Sequence, residues 1–187
     1  MNILFINGSP KSDGNTARLL QHMFNTAQPH YENASLYHVG RMRIRGCIGC
    51  LVCNQMPACV VRDQMQELYA QILQADLLVF GFPIYMGQMP SFAKTFTDRL
   101  YAFLNPDFTS RFETPKRILW IITQGAPDPE TWRPYLTETA TVFKQTGFET
   151  IDTWIFPLPE NTISDEIFQK IDREGENIFR RPKDFQK

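Results

Sequence analysis

Short apolar runs alternate with amphipathic segments five times along the chain, and this alternation constrains the fold more than any other feature. Most of the runs are continuous, which suits strands buried on both faces of a parallel sheet. The segments between them repeat apolar residues at helical spacing. The predicted strands are 3–6, 35–39, 76–82, 117–123 and 151–156, and the predicted helices are 16–27, one capped by Asp63, 91–104, 130–146 and 165–179.

This order of elements predicts an α/β fold, a doubly wound five-stranded parallel sheet with helices on both faces. We expect one domain over residues 1–180, followed by a polar tail at 181–187. Asp63 with Gln66 three residues later has the pattern of a capping box, which predicts a helix start. Gly147 follows the helix 130–146 at the position where a glycine often ends a helix.

Composition excludes several classes of protein. The chain has 187 residues and is 43% hydrophobic, enough for one domain with a sizeable core. Its 19 Lys and Arg against 20 Asp and Glu argue against a general nucleic-acid binder, which needs an excess of positive charge. No apolar run approaches the roughly 20 residues that cross a bilayer, and no basic region precedes the first one. We expect a cytoplasmic protein that binds neither nucleic acid nor membranes.

In a doubly wound sheet, ligands bind outside the carboxyl ends of the strands. The loops of interest are therefore 8–16, 83–90 and 123–130, after the first, third and fourth strands. The first loop leads directly into a helix, whose free N–H groups and positive dipole end favour an anion. It has neither the three spaced glycines of a dinucleotide fingerprint nor a Walker A ending. The alternative is an ordinary turn that Asn15 or Thr16 caps.

This first loop resembles a known family. Gly8-Ser9-Pro10 followed by Gly14-Asn15-Thr16 is similar to the phosphate loop of the flavodoxin-like NAD(P)H-dependent FMN reductases. True flavodoxins carry a threonine-rich version that this chain lacks. The resemblance implies a flavodoxin-like fold and a loop that holds the monophosphate of FMN. The residues expected to bind it are Ser9, Lys11, Ser12, Asn15 and Thr16.

The second loop is similar to the Pro-Ile-Tyr segment of the same family, which lies against the isoalloxazine ring. A flat ring needs a rigid wall, and a proline, a polarizable surface and a permissive glycine suit that role. Backbone N–H groups of 85–88 are expected near flavin N5 and O4, and plain packing at a strand end is the alternative. The cofactor-binding residues expected here are Pro83, Ile84, Tyr85, Met86, Gly87 and Gln88.

The third loop, Thr123-Gln124-Gly125, stands where the family places its contact with the pyrimidine side of the flavin. The continuation at 126–129 departs from the glycine-rich sequence that is commoner in the family. The helix 91–104 matches the family pattern as well. Its charged residues are expected to form structural ion pairs or an interface rather than to catalyse: Lys94, Asp98 and Arg99.

Four cysteines fall within one 13-residue window: Cys47, Cys50, Cys53 and Cys59. Their C-x2-C-x2-C-x5-C spacing is similar to the compact motif of the iron–sulfur flavoproteins, a branch of the same fold, and implies a possible 4Fe-4S cluster. A zinc site is a second interpretation, although zinc sites usually separate their two pairs more widely. Reduced thiols that pack as small apolar residues beside the flavin are a third.

The resemblance as a whole implies an FMN-dependent oxidoreductase. Hydride would pass from NAD(P)H, a co-substrate, through FMN to a small-molecule electron acceptor such as a quinone, flavin, nitro or azo compound. No side chain is required as an acid or base, so no catalytic residue is assigned. The resemblance also implies a homodimer or homotetramer. Two alternatives stay open: an iron–sulfur flavoprotein that carries electrons, and a flavin-binding module without turnover.

Overall fold

Five parallel strands form one sheet in the order β2–β1–β3–β4–β5. This is the strand order of the flavodoxin-like fold, and it confirms the predicted doubly wound sheet. The computed structural model describes residues 1–31 and 33–180, so the predicted tail at 181–187 lies outside the described residues. The strands are β1 (Ile3–Asn7), β2 (Ala34–His38), β3 (Leu77–Pro83), β4 (Lys116–Gln124) and β5 (Phe148–Pro157).

Helices cover both faces of this sheet. They are α1 (Asn15–Ala27), α2 (Val52–Gln55), α3 (Met65–Gln74), α4 (Ser91–Arg99), α5 (Arg133–Gln145) and α6 (Asp165–Arg180). The predicted helix 91–104 is α-helical only as far as Arg99 and continues as a 3-10 turn, and a second 3-10 turn spans Val39–Arg41. Within the described ranges, no helix is both long and apolar enough to cross a membrane.

The predicted capping box before α3 is wrong in its details. The helix begins at Met65, whose N–H donates to Asp63 Oδ1 at 3.0 Å, but the residue at the N-cap position is Gln64. The Gln66 side chain does not reach back to the cap. It donates instead to the carbonyls of Cys59 and Val61, at 3.1 and 2.8 Å, and so supports the preceding segment.

The strand residues alternate between two hydrophobic cores, which is why the runs in the sequence are apolar without interruption. One core lies against α1 and α6 and includes Phe5 and Val79, whereas the other lies against α3, α4 and α5 and includes Ile6 and Phe80. Strands β1, β3 and β4 end together at one edge of the sheet. The loops 8–14, 84–90 and 125–132 therefore meet there.

Candidate functional site

The start of α1 offers unpaired donors at this edge. Gly14 occupies the N-cap position in an extended conformation and makes no side-chain cap bond. Asn15 and Thr16 do not cap the helix either, because Asn15 Nδ2 donates to Asn161 Oδ1 at 2.8 Å and Thr16 Oγ1 shares a hydrogen bond of 2.7 Å with Thr123 Oγ1. In the described part of the chain, the N–H groups of 15–17 have no acceptor. The helix start is therefore free to bind an anion.

The loop before α1 is shaped by its own side chains. Asn7 Oδ1 accepts the N–H of Ser9 at 2.9 Å, and the buried Ser9 Oγ accepts the N–H of Lys11 at 3.1 Å. Ser9 keeps its hydroxyl proton for a ligand, since its oxygen is the acceptor in this bond. Gly8 packs directly on α4, where an added Cβ would lie 2.7 Å from the Cβ of Ala93.

Positive charge stands beside the same loop. The Arg41 guanidinium donates to Ser12 Oγ, and the exposed Lys11 lies one residue before Ser12. His38 contacts Asn7 Nδ2 through its Nδ1 at 2.8 Å, and burial together with the nearby Arg41 lowers the pKa of His38. The imidazole is therefore neutral at pH 7, and the arginine and lysine supply the charge. No motif in the sequence marks Arg41, because the fold alone brings it to the loop.

The loop after β3 makes a tight two-residue turn. Tyr85 and Gln88 exchange backbone hydrogen bonds of 2.8 and 3.0 Å, and both central residues, Met86 and Gly87, have positive φ values of 50° and 79°. This is the pattern of a type I′ turn. The Met86 side chain is fully exposed. The turn therefore presents a bare apolar side chain and two backbone N–H groups that no protein carbonyl in the described residues accepts.

The beginning of α5 and the residue before it support this turn from behind. An added Cβ at Gly87 would lie 2.9 Å from Cζ3 of the Trp132 indole, so only a glycine fits between them. The Tyr135 hydroxyl accepts the N–H of Met89 at 3.0 Å. The sequence pattern alone does not place Trp132, since its contact with Gly87 joins residues far apart in the chain.

The loop after β4 is closed by an amide side chain. Gln124 Nε2 donates to the carbonyls of Ala126 and Asp128 at 3.0 and 2.8 Å. Its Oε1 is buried and has no partner among the described residues. Gly125 is exposed with open space around it, whereas Thr123 is buried in its bond to Thr16. Of the three predicted residues, Gly125 faces a ligand most openly.

The four cysteines are free thiols with unequal exposure. Cys47 and Cys50 are exposed, while Cys53 and Cys59 are half-buried against the core. Burial, together with the neighbouring thiols, raises the pKa of Cys53. Among the described residues, which include all four cysteines, no three His, Cys, Asp or Glu side chains converge as metal ligands. As they are placed here, the thiols do not fit a cluster.

A buried arginine anchors the segment 46–60, which we call the cysteine loop. Arg99, on α4, is only 1% exposed. Its Nη1 donates to Asp63 Oδ2 and to the carbonyl of Arg45, both at 2.8 Å, and its Nη2 donates to the carbonyl of Val61 at 3.4 Å. Arg111 Nη2 donates to the carbonyl of Cys53 at 2.6 Å. The main chain is thus held at both ends and in the middle.

Two predictions on the charged residues of α4 are confirmed. Arg99 forms a structural ion pair with Asp63, and Lys94 forms an exposed one with Asp98. None of these four side chains lies in the three loops at the sheet edge.

Residues 1–125 match a family model described as NADPH-dependent FMN reductase. Curated relatives include an iron–sulfur flavoprotein of Methanocaldococcus jannaschii, 27% identical over 99 residues (53% of this chain, 51% of the relative), and one of Clostridioides difficile, 29% identical over 107 residues (56% and 48%). The matched region spans about half the length of these relatives.

Solved structures share the whole fold at low identity. A structure described as a flavone reductase has a TM-score of 0.73 at 19% identity and covers 100% of this chain and 64% of its own. An FMN-dependent NADH-azoreductase from Bacillus anthracis, solved with FMN, has a TM-score of 0.68 at 15% identity, over 96% of this chain and 98% of its own.

Proposed function

Because the chain belongs to the NADPH-dependent FMN reductase family, we propose that it binds FMN at the sheet edge and passes hydride from NAD(P)H to a small acceptor. Quinones, flavins, nitro compounds and azo compounds are the acceptors that suit this chemistry. One observation carries the proposal: unpaired donors at the start of α1 and the bare turn at 85–88 lie at the same edge of the sheet.

The first loop fits the phosphate of FMN. The N–H groups of 15–17 have no acceptor among the described residues and would donate to the phosphate, and the Ser9 hydroxyl and the Asn15 amide belong to the same loop and helix start. Lys11 and Arg41 add positive charge, which strengthens each hydrogen bond to a phosphate oxygen. Ser12 contributes through its contact with Arg41, since the bond fixes that guanidinium beside the loop. Thr16 acts indirectly, because its hydroxyl is already bonded to Thr123.

The other two loops fit a flat ring. Pro83 and Ile84 continue β3 to the edge, where Ile84 N–H pairs with the Thr123 carbonyl at 2.8 Å. The Tyr85–Gln88 turn then offers the N–H groups of Met86 and Gly87 to polar ring atoms. The buried Gln124 Oε1 is an acceptor that lacks a partner in the described residues, which suits a ring N–H.

The chain's own residues bind and orient the cofactor, whereas bound FMN supplies the hydride chemistry. The turn at 85–88 would shield part of a bound flavin from water. Gly125, which has no atom within 4 Å of an added Cβ, would leave room beside the cofactor for a nicotinamide or an acceptor. No side chain is assigned to move a proton.

The test compares FMN with riboflavin. We expect flavin-free protein to bind FMN at least about 100-fold more tightly, because two charge-assisted hydrogen bonds to the phosphate contribute about 3 kcal/mol together. FMN-loaded protein is then assayed for NADPH and NADH oxidation with a quinone, a nitro and an azo acceptor. Failure to take up FMN contradicts the whole proposal. FMN uptake without turnover supports the flavin-binding module instead.

We also propose that the protein is a homodimer or homotetramer. Apolar side chains next to the flavin loops are exposed in the single chain, among them Tyr85, Met86 and Phe92. A second copy that covers them would complete the wall of the site.

Electron transfer through a 4Fe-4S cluster is the second candidate function. The names of the curated relatives favour it, together with the spacing of Cys47, Cys50, Cys53 and Cys59. The thiols do not converge in this structure, so the cysteine loop would have to rearrange to bind iron. Iron and acid-labile sulfide assays on anaerobically purified protein test it. About four irons per chain support the cluster. If the protein contains neither iron nor zinc, the interpretation as reduced thiols is supported instead.

A further inference from the structure

The segment after β5 begins at the same edge of the sheet as the flavin loops. Pro157, the last residue of β5, pairs with Gln124 at the end of β4. Residues 158–164, which we call the fourth loop, follow directly and lead into α6. The fourth loop is therefore a neighbour of the loop after β4, and the question is what it contributes to the site.

The fourth loop is fixed on both sides of Asn161. The Leu158 N–H donates to the Gln124 carbonyl at 2.7 Å, and the Asn161 N–H donates to the Leu158 carbonyl at 2.9 Å. Leu158 and Ile163 are both buried in the core that lies against α1 and α6. The backbone that carries Asn161 is therefore held in place without a ligand, and little ordering is required of it on binding.

Asn161 has a left-handed backbone conformation with a φ of 56°. Asparagine is one of the few residues besides glycine that adopts this conformation readily. In this position its Oδ1 accepts a hydrogen bond of 2.8 Å from Asn15 Nδ2, although 146 residues separate the two. Asn15 is the first residue of α1. The fourth loop thus places an amide directly beside the helix start whose N–H groups lack acceptors.

The Asn161 amide has donors to spare at this position. Its oxygen is occupied by Asn15, whereas its Nδ2 makes no hydrogen bond within residues 1–31 and 33–180. The residue is exposed, so both hydrogens of the amide nitrogen are available to a ligand. Free N–H donors beside a helix N-terminus favour an anionic oxygen.

Resting on the proposed function, we propose that Asn161 Nδ2 donates a hydrogen bond to the phosphate of bound FMN. The fourth loop is then a further wall of the flavin site, added to the three loops that carry the sequence motifs. It lies beyond residues 1–125, which match the family model. The contact favours FMN over riboflavin, because riboflavin has no phosphate to accept the bond.

Titration of flavin-free protein with FMN and with riboflavin, followed by quenching of flavin fluorescence, tests the proposal. Asn161→Asp keeps the oxygen that accepts from Asn15 but replaces the donor nitrogen by an anionic oxygen. We expect this variant to bind FMN at least about tenfold more weakly, the loss that one hydrogen bond to a charged group brings. Its affinity for riboflavin should stay the same.

Two further variants separate a hydrogen bond from an effect of charge. Asn161→Gly keeps the positive φ and removes the side chain. It should also bind FMN about tenfold more weakly and riboflavin equally well. Asn25→Asp makes the same change of charge at an exposed position of α1, about 15 Å along the helix from Asn15, and should change neither affinity.

Several results overturn the proposal. Unchanged FMN affinity in Asn161→Asp leaves the residue only its bond to Asn15, and unchanged FMN affinity in Asn161→Gly means that the aspartate acts by charge alone. Equal losses for FMN and riboflavin, or the same loss in Asn25→Asp, exclude a contact with the phosphate. Wild-type protein that takes up FMN while the Asn161 variants bind it equally well disproves only the role of Asn161. Wild-type protein that takes up no FMN disproves the proposed function as well.

Discussion

Thr16 and Thr123 share one buried hydrogen bond although 107 residues separate them in the chain. Replacing either threonine by valine leaves the other hydroxyl buried without a partner. We expect Thr16→Val or Thr123→Val to lower the free energy of unfolding by about 1–3 kcal/mol, as for other orphaned buried hydroxyls. The double variant removes both polar groups, so it should lower the free energy of unfolding by clearly less than the sum of the two single losses. Urea denaturation of the wild type, the two single variants and the double variant measures the coupling energy between the two threonines. Losses that simply add would contradict the shared hydrogen bond.

Gly87 has a positive φ and lies against the Trp132 indole. Both the backbone conformation and the lack of room for a Cβ therefore favour glycine at this position. We expect Gly87→Ala to displace the turn and weaken FMN binding by about tenfold, a loss of about 1.4 kcal/mol. The affinity is measured by quenching of flavin fluorescence. Gly46→Ala is the control, because nothing lies within 4 Å of an added Cβ there. Unchanged FMN affinity in Gly87→Ala would show that the turn does not touch the ring.

At the scale of elements, the ion pair of Asp63 with Arg99 joins α4 to both ends of the cysteine loop. The side chains are 7% and 1% exposed. Removing one member of such a buried pair leaves an uncompensated charge, so we expect Asp63→Asn to lower the free energy of unfolding by about 3–5 kcal/mol at pH 7. Asp98→Asn, which removes an exposed pair with Lys94, should cost less than about 1 kcal/mol. Similar losses in the two variants would rule out a special role for the buried pair.

The contribution of Asp63 to the free energy of unfolding depends on pH, and the pKa of its carboxyl gives the direction of that dependence. Burial alone raises the pKa of this carboxyl, but hydrogen bonds from Arg99 and from the N–H groups of Arg45 and Met65 bring it below its ordinary value of 3.8. Its contribution is therefore present above pH 4 and is lost as the pH falls through the lower pKa of the folded state. The difference in unfolding free energy between wild type and Asp63→Asn should narrow below pH 4 in urea denaturation series. A constant difference from pH 7 to pH 2 would contradict it.

The sequence predicts the strands and long helices better than it predicts the segments that connect them. All five strands are found within about three residues of the predicted ends, because burial on both faces leaves continuous apolar runs. The short helix Val52–Gln55 within the predicted irregular segment 40–62 was not predicted. The two hydrogen bonds that Gln66 donates to main-chain carbonyls are also not predictable from the sequence. Its amide finds carbonyls that only the folded cysteine loop brings within reach.

In the candidate site, too, the sequence predicts the local loop motifs but not the contacts between residues far apart in the chain. The loop motifs identify the three segments that meet at the sheet edge, because strand order alone brings them together. They do not reveal Arg41 or Trp132, whose contacts with Ser12 and Gly87 depend on packing between distant segments. Gln124, predicted as a cofactor ligand, uses its amide nitrogen to close its own loop and leaves only Oε1 for a ring.

At the scale of the whole molecule, the exposed apolar side chains beside the flavin loops predict self-association. Tyr85, Met86 and Phe92 lie within eight residues of one another at the turn and at the start of α4. A stable interface buries about 1,200–2,000 Å² in total, so such a cluster can only be its centre. We expect light scattering after gel filtration to give at least twice the chain mass of 21.7 kDa. A mass of one chain at all concentrations would contradict the dimer.

A charge at the centre of this surface should separate the copies. We expect Phe92→Glu to raise the dimer dissociation constant at least about tenfold, since a carboxylate there would be buried without a partner. Val142→Glu places the same charge at an exposed apolar position of α5 and is the control. If the second copy completes the flavin wall, diluting Phe92→Glu to single chains also releases FMN, which flavin fluorescence records. FMN affinity that is the same in single chains and dimers would show that each chain builds its flavin site alone.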